Sequence, residues 1–140
     1  MNDPLREAGR WLTQARVDLD AARVLRTEFS SLACFHCQQS AEKALKAILY
    51  GSGERPVLGH SLAELGARAS LHSPTFSQLQ SAVAKLDRYY IPTRYPNGLP
   101  EGADPSTAFD EEDAEAAISV AAAALAHAGE FLEGISLPGG

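Results

Sequence analysis

The stretch Arg88-Tyr89-Tyr90-Ile91-Pro92-Thr93-Arg94-Tyr95-Pro96 brings two guanidinium groups and three phenol rings together. Arginine presents a planar fork of donors that matches phosphate, and tyrosine presents a stacking face with a hydroxyl. That pairing suits a nucleotide or the end of a single-stranded nucleic acid. The same residues also make an aromatic corner that pins the following loop to its domain, with the arginines pairing to acids of the next helix. Composition is compatible with both roles, and the second requires no ligand.

Other residues with chemical potential are fewer. Cys34, His36 and Cys37 are metal-ligand types, but on a helix positions 34 and 36 point about 160° apart and cannot close on one ion. The two cysteines read instead as small core residues, too close along one helix for a structural disulfide. No metal site is expected. Gly51-Ser52-Gly53 lacks the spacing of a phosphate-binding loop and reads as a helix stop. No nucleophile elbow or zinc-protease helix is present, so no catalytic residue and no cofactor is assigned. His72 reads as a loop residue and His127 as a surface histidine of the last helix. His60 either orients a turn or touches a ligand. Lys43 and Lys46 share the polar face of one helix, where Glu42 and Lys46 form an i,i+4 pair that, if solvated, is worth about 0.2–0.5 kcal/mol.

Helices must carry all of these groups. Leu5, Ala8, Leu12, Ala15, Leu19 and Ala22 recur at spacings of three and four, which predicts an amphipathic helix over about 3–27 with Pro4 in its first turn. A second helix is expected over 31–50, with Ser30 or Ser31 as its cap. Its apolar side is Cys34, Cys37, Ala41, Ala44, Leu45 and Ile48, and its polar side His36, Gln39, Glu42, Lys43, Lys46 and Tyr50. Phe35 points toward the polar side, either as a contact for another chain or packed under a loop. Ser61-Leu62-Ala63-Glu64 is a capping box opening a short helix over 62–69. Phe76, Leu79, Val83, Leu86 and Tyr90 mark another helix, which Pro92 ends. Residues 91–108 hold Pro92, Pro96, Pro100 and Pro105 and read as a long irregular loop. The last helix is expected over 110–134, opening on the acids Asp110 to Asp113, and residues 135–140 as a frayed tail. The predicted fold class is all-α: an up-and-down antiparallel bundle of four long helices plus one short extra helix. It forms a single domain over 1–140 with its core from about 4 to 134.

Charge is divided along the chain. Residues 1–94 hold all twelve Lys and Arg against nine acids, a net +3, while residues 95–140 hold nine acids and no Lys or Arg, a net −9. A bulk DNA binder would be basic overall, and this chain is −6. No apolar stretch reads as a bilayer span and the first ten residues lack a signal core, so no membrane association and a cytoplasmic location are expected.

Several ordered motifs are similar to one family. Ala33–Lys46, ACFHCQQSAEKALK, resembles the second-helix signature of HEPN domains (higher eukaryote and prokaryote nucleotide-binding). Asp18–Leu25, DLDAARVL, resembles the first-helix pattern, His60-Ser61-Leu62 the start of the following helix, and Tyr90–Pro96, YIPTRYP, the element after the later helix. The resemblance implies a helical bundle, commonly a homodimer, that binds a nucleotide or single-stranded RNA. It also implies a separately encoded minimal nucleotidyltransferase as protein partner, in a toxin–antitoxin-like pair. It carries over Glu42, Lys43, Lys46, His60, Tyr90, Arg94 and Tyr95, with Lys46 and Arg94 for phosphate, Tyr95 for stacking and His60 for a hydrogen bond.

Ribonucleases of the family place Arg, four to six residues, then His near the start of the last helix. Here Arg94 is followed at those distances by Leu99, Pro100 and Glu101. Arg55 and His60 have the spacing but lie after the second helix. The expected function is therefore a non-catalytic nucleotide- or RNA-binding module. The alternatives are a metal-independent ribonuclease with a non-standard site and a pure protein–protein interaction module.

Overall fold

In the computed structural model, which describes residues 3–136, the chain is helical with no strand among the described residues. Helix α1 (Asp3–Leu25) and helix α2 (Ser30–Gly51) form an antiparallel hairpin across a tight turn. Helix α3 (Leu62–His72) follows a loop. A continuous helical run then goes from Pro74 to Tyr89: a 3-10 turn, helix α4 (Ser77–Ala84) and a second 3-10 turn. The long loop contains a 3-10 turn at Pro96–Gly98 and one helical turn, α5 (Pro105–Ala108). Helix α6 (Glu111–Ser136) packs back along α2 and α1. The four long helical segments and the short extra helix are thus α1, α2, Pro74–Tyr89, α6 and α3.

α2 is the central element, flanked by α1, α6 and α3. Its expected apolar side is fully buried, from Cys34 and Cys37 to Leu45 and Ile48. Burial in this apolar setting pushes both thiols up to about 12, so they remain neutral and unreactive, and both are free. Alanine supplies much of the α6 core side: Ala114, Ala117, Ala121, Ala124 and Ala128. Such small side chains let helix axes approach closely. By length and composition α6 is apolar enough to cross a membrane, but it carries Glu111, Glu112, Asp113 and Glu115 near one end and Glu130 and Glu133 near the other.

Local capping differs in detail from the expectation. Ser61 Oγ accepts the Glu64 N–H at 3.2 Å, as a capping box requires. The carboxylate that completes the cap is Asp87 from the following run, which accepts from Leu62 N–H (2.9 and 3.0 Å) and Ala63 N–H (3.2 Å). A distant acid can thus replace the local Glu, because any carboxylate satisfies orphan donors at a helix start. Ser30 and Ser31 do not cap α2. Ser30 is its first helical residue, and its hydroxyl donates back to Arg26 O at 2.8 Å. α6 opens on a reciprocal box, Asp113 N–H to Asp110 Oδ1 (2.9 Å) and Asp110 N–H to Asp113 Oδ2 (3.0 Å). Of the expected frayed tail, Ile135 and Ser136 are helical, and 137–140 lie outside the described residues.

Candidate functional site

The carried-over residues fall along one side of the molecule, where the polar face of α2 meets α1, the loop before α3 and the loop after Tyr89. At one end Arg94 is clamped. Its Nε and Nη2 donate to Tyr90 O at 2.9 and 2.6 Å. Its guanidinium lies 4.2 Å from the Phe35 ring centre, 4.9 Å from that of Tyr90 and 5.0 Å from that of Tyr95. Phe35 is therefore packed under the loop. The arginine pins that loop through rings and a carbonyl, not through acids of the next helix as expected. Two of its nitrogens are already committed, so it does not present the free fork first assigned to phosphate. Tyr95 remains half-exposed. Tyr89, by contrast, is core, and its ring edge meets Phe109.

His60 stacks on Tyr90, with centroids 5.4 Å apart and an interplanar angle of 20°. Its Nδ1 lies 3.1–3.2 Å from both carboxylate oxygens of Glu42. That edge of the ring is therefore turned to the carboxylate, the partner an imidazole N–H would donate to. His60 is thus tied to its neighbours, while its side chain stays 60% exposed.

Beneath it, Glu42 meets Lys46 Nζ at 3.1 Å, with side-chain exposures of 4% and 6%. This corrects the reading of Lys46 as a residue of an exposed face and of Glu42–Lys46 as a solvated pair. α1 covers them: Trp11 lies under the ammonium, 5.3 Å from ring centre to Nζ, and stacks on Tyr50 at 5.5 Å. A helical-wheel pattern separates polar from apolar residues, but polar residues can also be buried where they find partners.

Lys43, a quarter exposed, is the more accessible of the two α2 lysines. Its Nζ is hydrogen-bonded to Asp18 of α1, whose other oxygen lies 2.9 Å from His36 Nδ1. Burial pushes Asp18 up, but the hydrogen bonds and charges of His36 and Lys43 outweigh it and hold the carboxyl below its usual value. A lowered folded-state value adds stability above the unfolded value. That stability is lost as pH falls through the folded value. Asp18→Asn is therefore expected to flatten the acid limb of the stability profile below about pH 4, leaving a smaller difference between pH 7 and pH 3 than in the unaltered chain. Denaturant titrations at the two pH values check this, and parallel losses in both proteins would contradict it.

Beside Lys43 an open groove of about 510 Å3 runs over α1, lined by Glu7, Arg10, Trp11, Thr13 and Gln14. Trp11 Nε1–H and Arg10 Nη1–H donate to the Glu7 carboxylate at 3.1 and 3.0 Å. The sequence reading missed these residues. The signal was the i,i+4,i+7,i+11 series Glu7, Trp11, Gln14, Asp18, in which Trp11 reads as a widening of the apolar stripe and its three polar neighbours share its line beside the α2 lysines. Of the other histidines, His72 ends α3 and bonds Glu54 at 2.7 Å. His127 Nε2 lies 2.8 Å from Ser73 Oγ, so it joins α6 to the start of the Pro74 run.

Known proteins share this architecture. The family model of the HEPN domain matches residues 8–130. Human sacsin is 34% identical over 113 residues, 76% of this chain and 2% of sacsin, so the chain spans a small fraction of that relative's length. TT1696 from Thermus thermophilus superposes with a TM-score of 0.82 at 34% identity, covering 94% of this chain and 99% of that one. ST0689, an archaeal HEPN homologue, superposes with a TM-score of 0.72 at 34% identity, covering 89% and 97%.

Proposed function

Because this chain belongs to the HEPN domain family, we propose that it is a non-catalytic nucleotide-binding module. In this reading it works as a homodimer beside a separately encoded nucleotidyltransferase, in a toxin–antitoxin-like pair. The observation that carries the binding half is the convergence of Lys43, His60, Tyr90, Arg94 and Tyr95 along one face, with Trp11 and its groove at the end of it.

The charges of that face favour a small ligand over a long RNA. Four cations, Arg10, Lys43, Lys46 and Arg94, share the face with three carboxylates, Glu7, Asp18 and Glu42, and three of the four cations are ion-paired with them. Polymer binding draws its affinity from releasing counterions at many unpaired cations, which this face lacks. A groove of about 510 Å3 is in the range of small-molecule sites. The exposed rings of Tyr95 and His60 offer stacking faces for a base.

Trp11 is the sole tryptophan, so its fluorescence reports on the groove. Titration with AMP, GMP, CMP and UMP is expected to change that emission for at least one of them. Lys43→Ala should weaken the binding roughly tenfold, the equivalent of one charge-assisted hydrogen bond. The slope of log affinity against log salt should be no steeper than about −1. No response to any mononucleotide or to a twelve-residue oligouridine would overturn the binding reading.

A second reading rests on a separate observation. His36 and His60 each place Nδ1 on a carboxylate, a contact of the kind that orients a histidine for acid–base work. Metal-free cutting of the oligouridine, lost in His60→Ala, would favour a ribonuclease.

A further inference from the structure

The groove between α1 and α6, on a different side of α1 from the nucleotide face, has opposite charges at its two ends. Its volume is about 380 Å3. Arg26 of α1 pairs with Glu111 and Glu115 of α6 at 3.4 and 4.0 Å, which places the end of α1 beside the start of α6. At the opposite end, a Cβ built at Gly51 would meet both Ala8 and Leu132. α1 and α6 are therefore antiparallel. Arg16 and Arg23 line the groove toward one end, and Glu130 and Glu133 line it toward the other. Asp20 pairs with Arg23 at 3.6 Å, and Arg16, Glu130 and Glu133 have no ion-pair partner within 4 Å among the described residues. Between the charged ends the α6 wall is Ala122, Ala126 and Gly129, and a Cβ at Gly129 would meet nothing within 4 Å.

We propose that this groove is the contact surface between two copies of the chain, related by a two-fold axis that sets the arginine end of one groove on the glutamate end of the other. A two-fold interface must be self-complementary. A surface positive at one end and negative at the other meets that requirement when two copies lie antiparallel. Two copies joined through α6 alone would instead oppose acid to acid, since α6 contains no Lys or Arg. The apolar α6 buries only Ala114, Ala117, Ala121, Ala124, Leu125 and Ala128 within its own chain, and its small outer residues permit close helix approach. A face two helices wide, roughly 20 Å by 35 Å, offers on the order of 700 Å2, close to what one partner contributes to a standard stable interface. The proposal rests on the dimeric half of the reading above and is independent of the nucleotide half.

Light scattering on the eluting protein tests it with a pair of charge reversals. The unaltered chain should elute at twice its 14.9 kDa mass. Arg16→Glu with Arg23→Glu sets acid against acid at both contacts, and Glu130→Arg with Glu133→Arg sets base against base. Each variant alone should be a monomer with an unchanged helical circular dichroism spectrum, because the four positions lie on the surface. An equal mixture of the two should regain the dimer, since both contacts are then attractive. An unaltered chain that is monomeric at 100 µM (order of magnitude for a weak dimer) would overturn both the dimer and its surface. A dimeric unaltered chain whose reversed variants stay dimeric, or whose mixture fails to pair, would overturn the surface alone. Mononucleotide titrations of the same samples report separately on the binding reading.

Discussion

Lys46→Ala is expected to cost about 3–5 kcal/mol of stability, the loss seen when one partner of a buried ion pair is removed. The ammonium is held 3.1 Å from Glu42 and above Trp11, and both charged side chains are nearly sealed from water. Truncation leaves the Glu42 carboxylate buried, with only the half-open His60 ring to answer it. A domain of this size has about 5–15 kcal/mol in total, so the variant would keep a small margin or none. The matching control is Lys46→Met with Glu42→Leu. Removing both charges leaves none stranded, and apolar replacements of similar volume are often neutral for a buried pair. The double variant should therefore be markedly more stable than the single one. Urea midpoints measure both. A Lys46→Ala loss below about 1 kcal/mol, the range of exposed pairs, would mean that water reaches the pair. For the same reason Lys46→Ala is a poor probe of ligand binding, and Lys43 is the better one.

Phe76→Ala should be of similar size, about 3–5 kcal/mol, through a different mechanism. The ring is fully buried and sits in the 3-10 turn that leads into α4. It lies 3.4 Å from where a Cβ on Gly66 of α3 would be and meets the His127 ring of α6 edge-on at 5.4 Å. Three elements therefore close on one side chain. Because Gly66 has no side chain to swing into the space, the cavity stays largely open, and its residual volume adds to the lost transfer energy. A fall in melting temperature of roughly 10–20 °C is expected. Phe76→Leu, which keeps most of the volume, should lose less than half as much. Equal losses for the two substitutions would point to the ring edge against His127, not the filled volume, as the source of the stability.

Repeating apolar spacings located α1, α2, the Pro74–Tyr89 run and α6 within a few residues, because helix periodicity is a local property. Punctuation was legible too. Gly53, at φ +94°, adopts a conformation L side chains rarely take, just past the end of α2, and Ser61 caps α3. Helix environment was less legible. The polar stripe of α2 read as exposed, yet two of its members, Glu42 and Lys46, are buried. A wheel shows which residues share a face and cannot show what lies opposite.

By itself the sequence determined the helical class, the order and spacing of the helices, the core identity of Cys34 and Cys37, and the motif set that marks the family. Each depends on residue type and short-range spacing, which local backbone geometry converts directly into structure. Only the tertiary structure decided which cations are free. Asp18 lies twenty-five residues from Lys43, Phe35 of α2 packs against the guanidinium of Arg94, and α1 covers Lys46. Charge availability depends on partners brought together by packing, and no local pattern encodes the identity of a partner that far away along the chain.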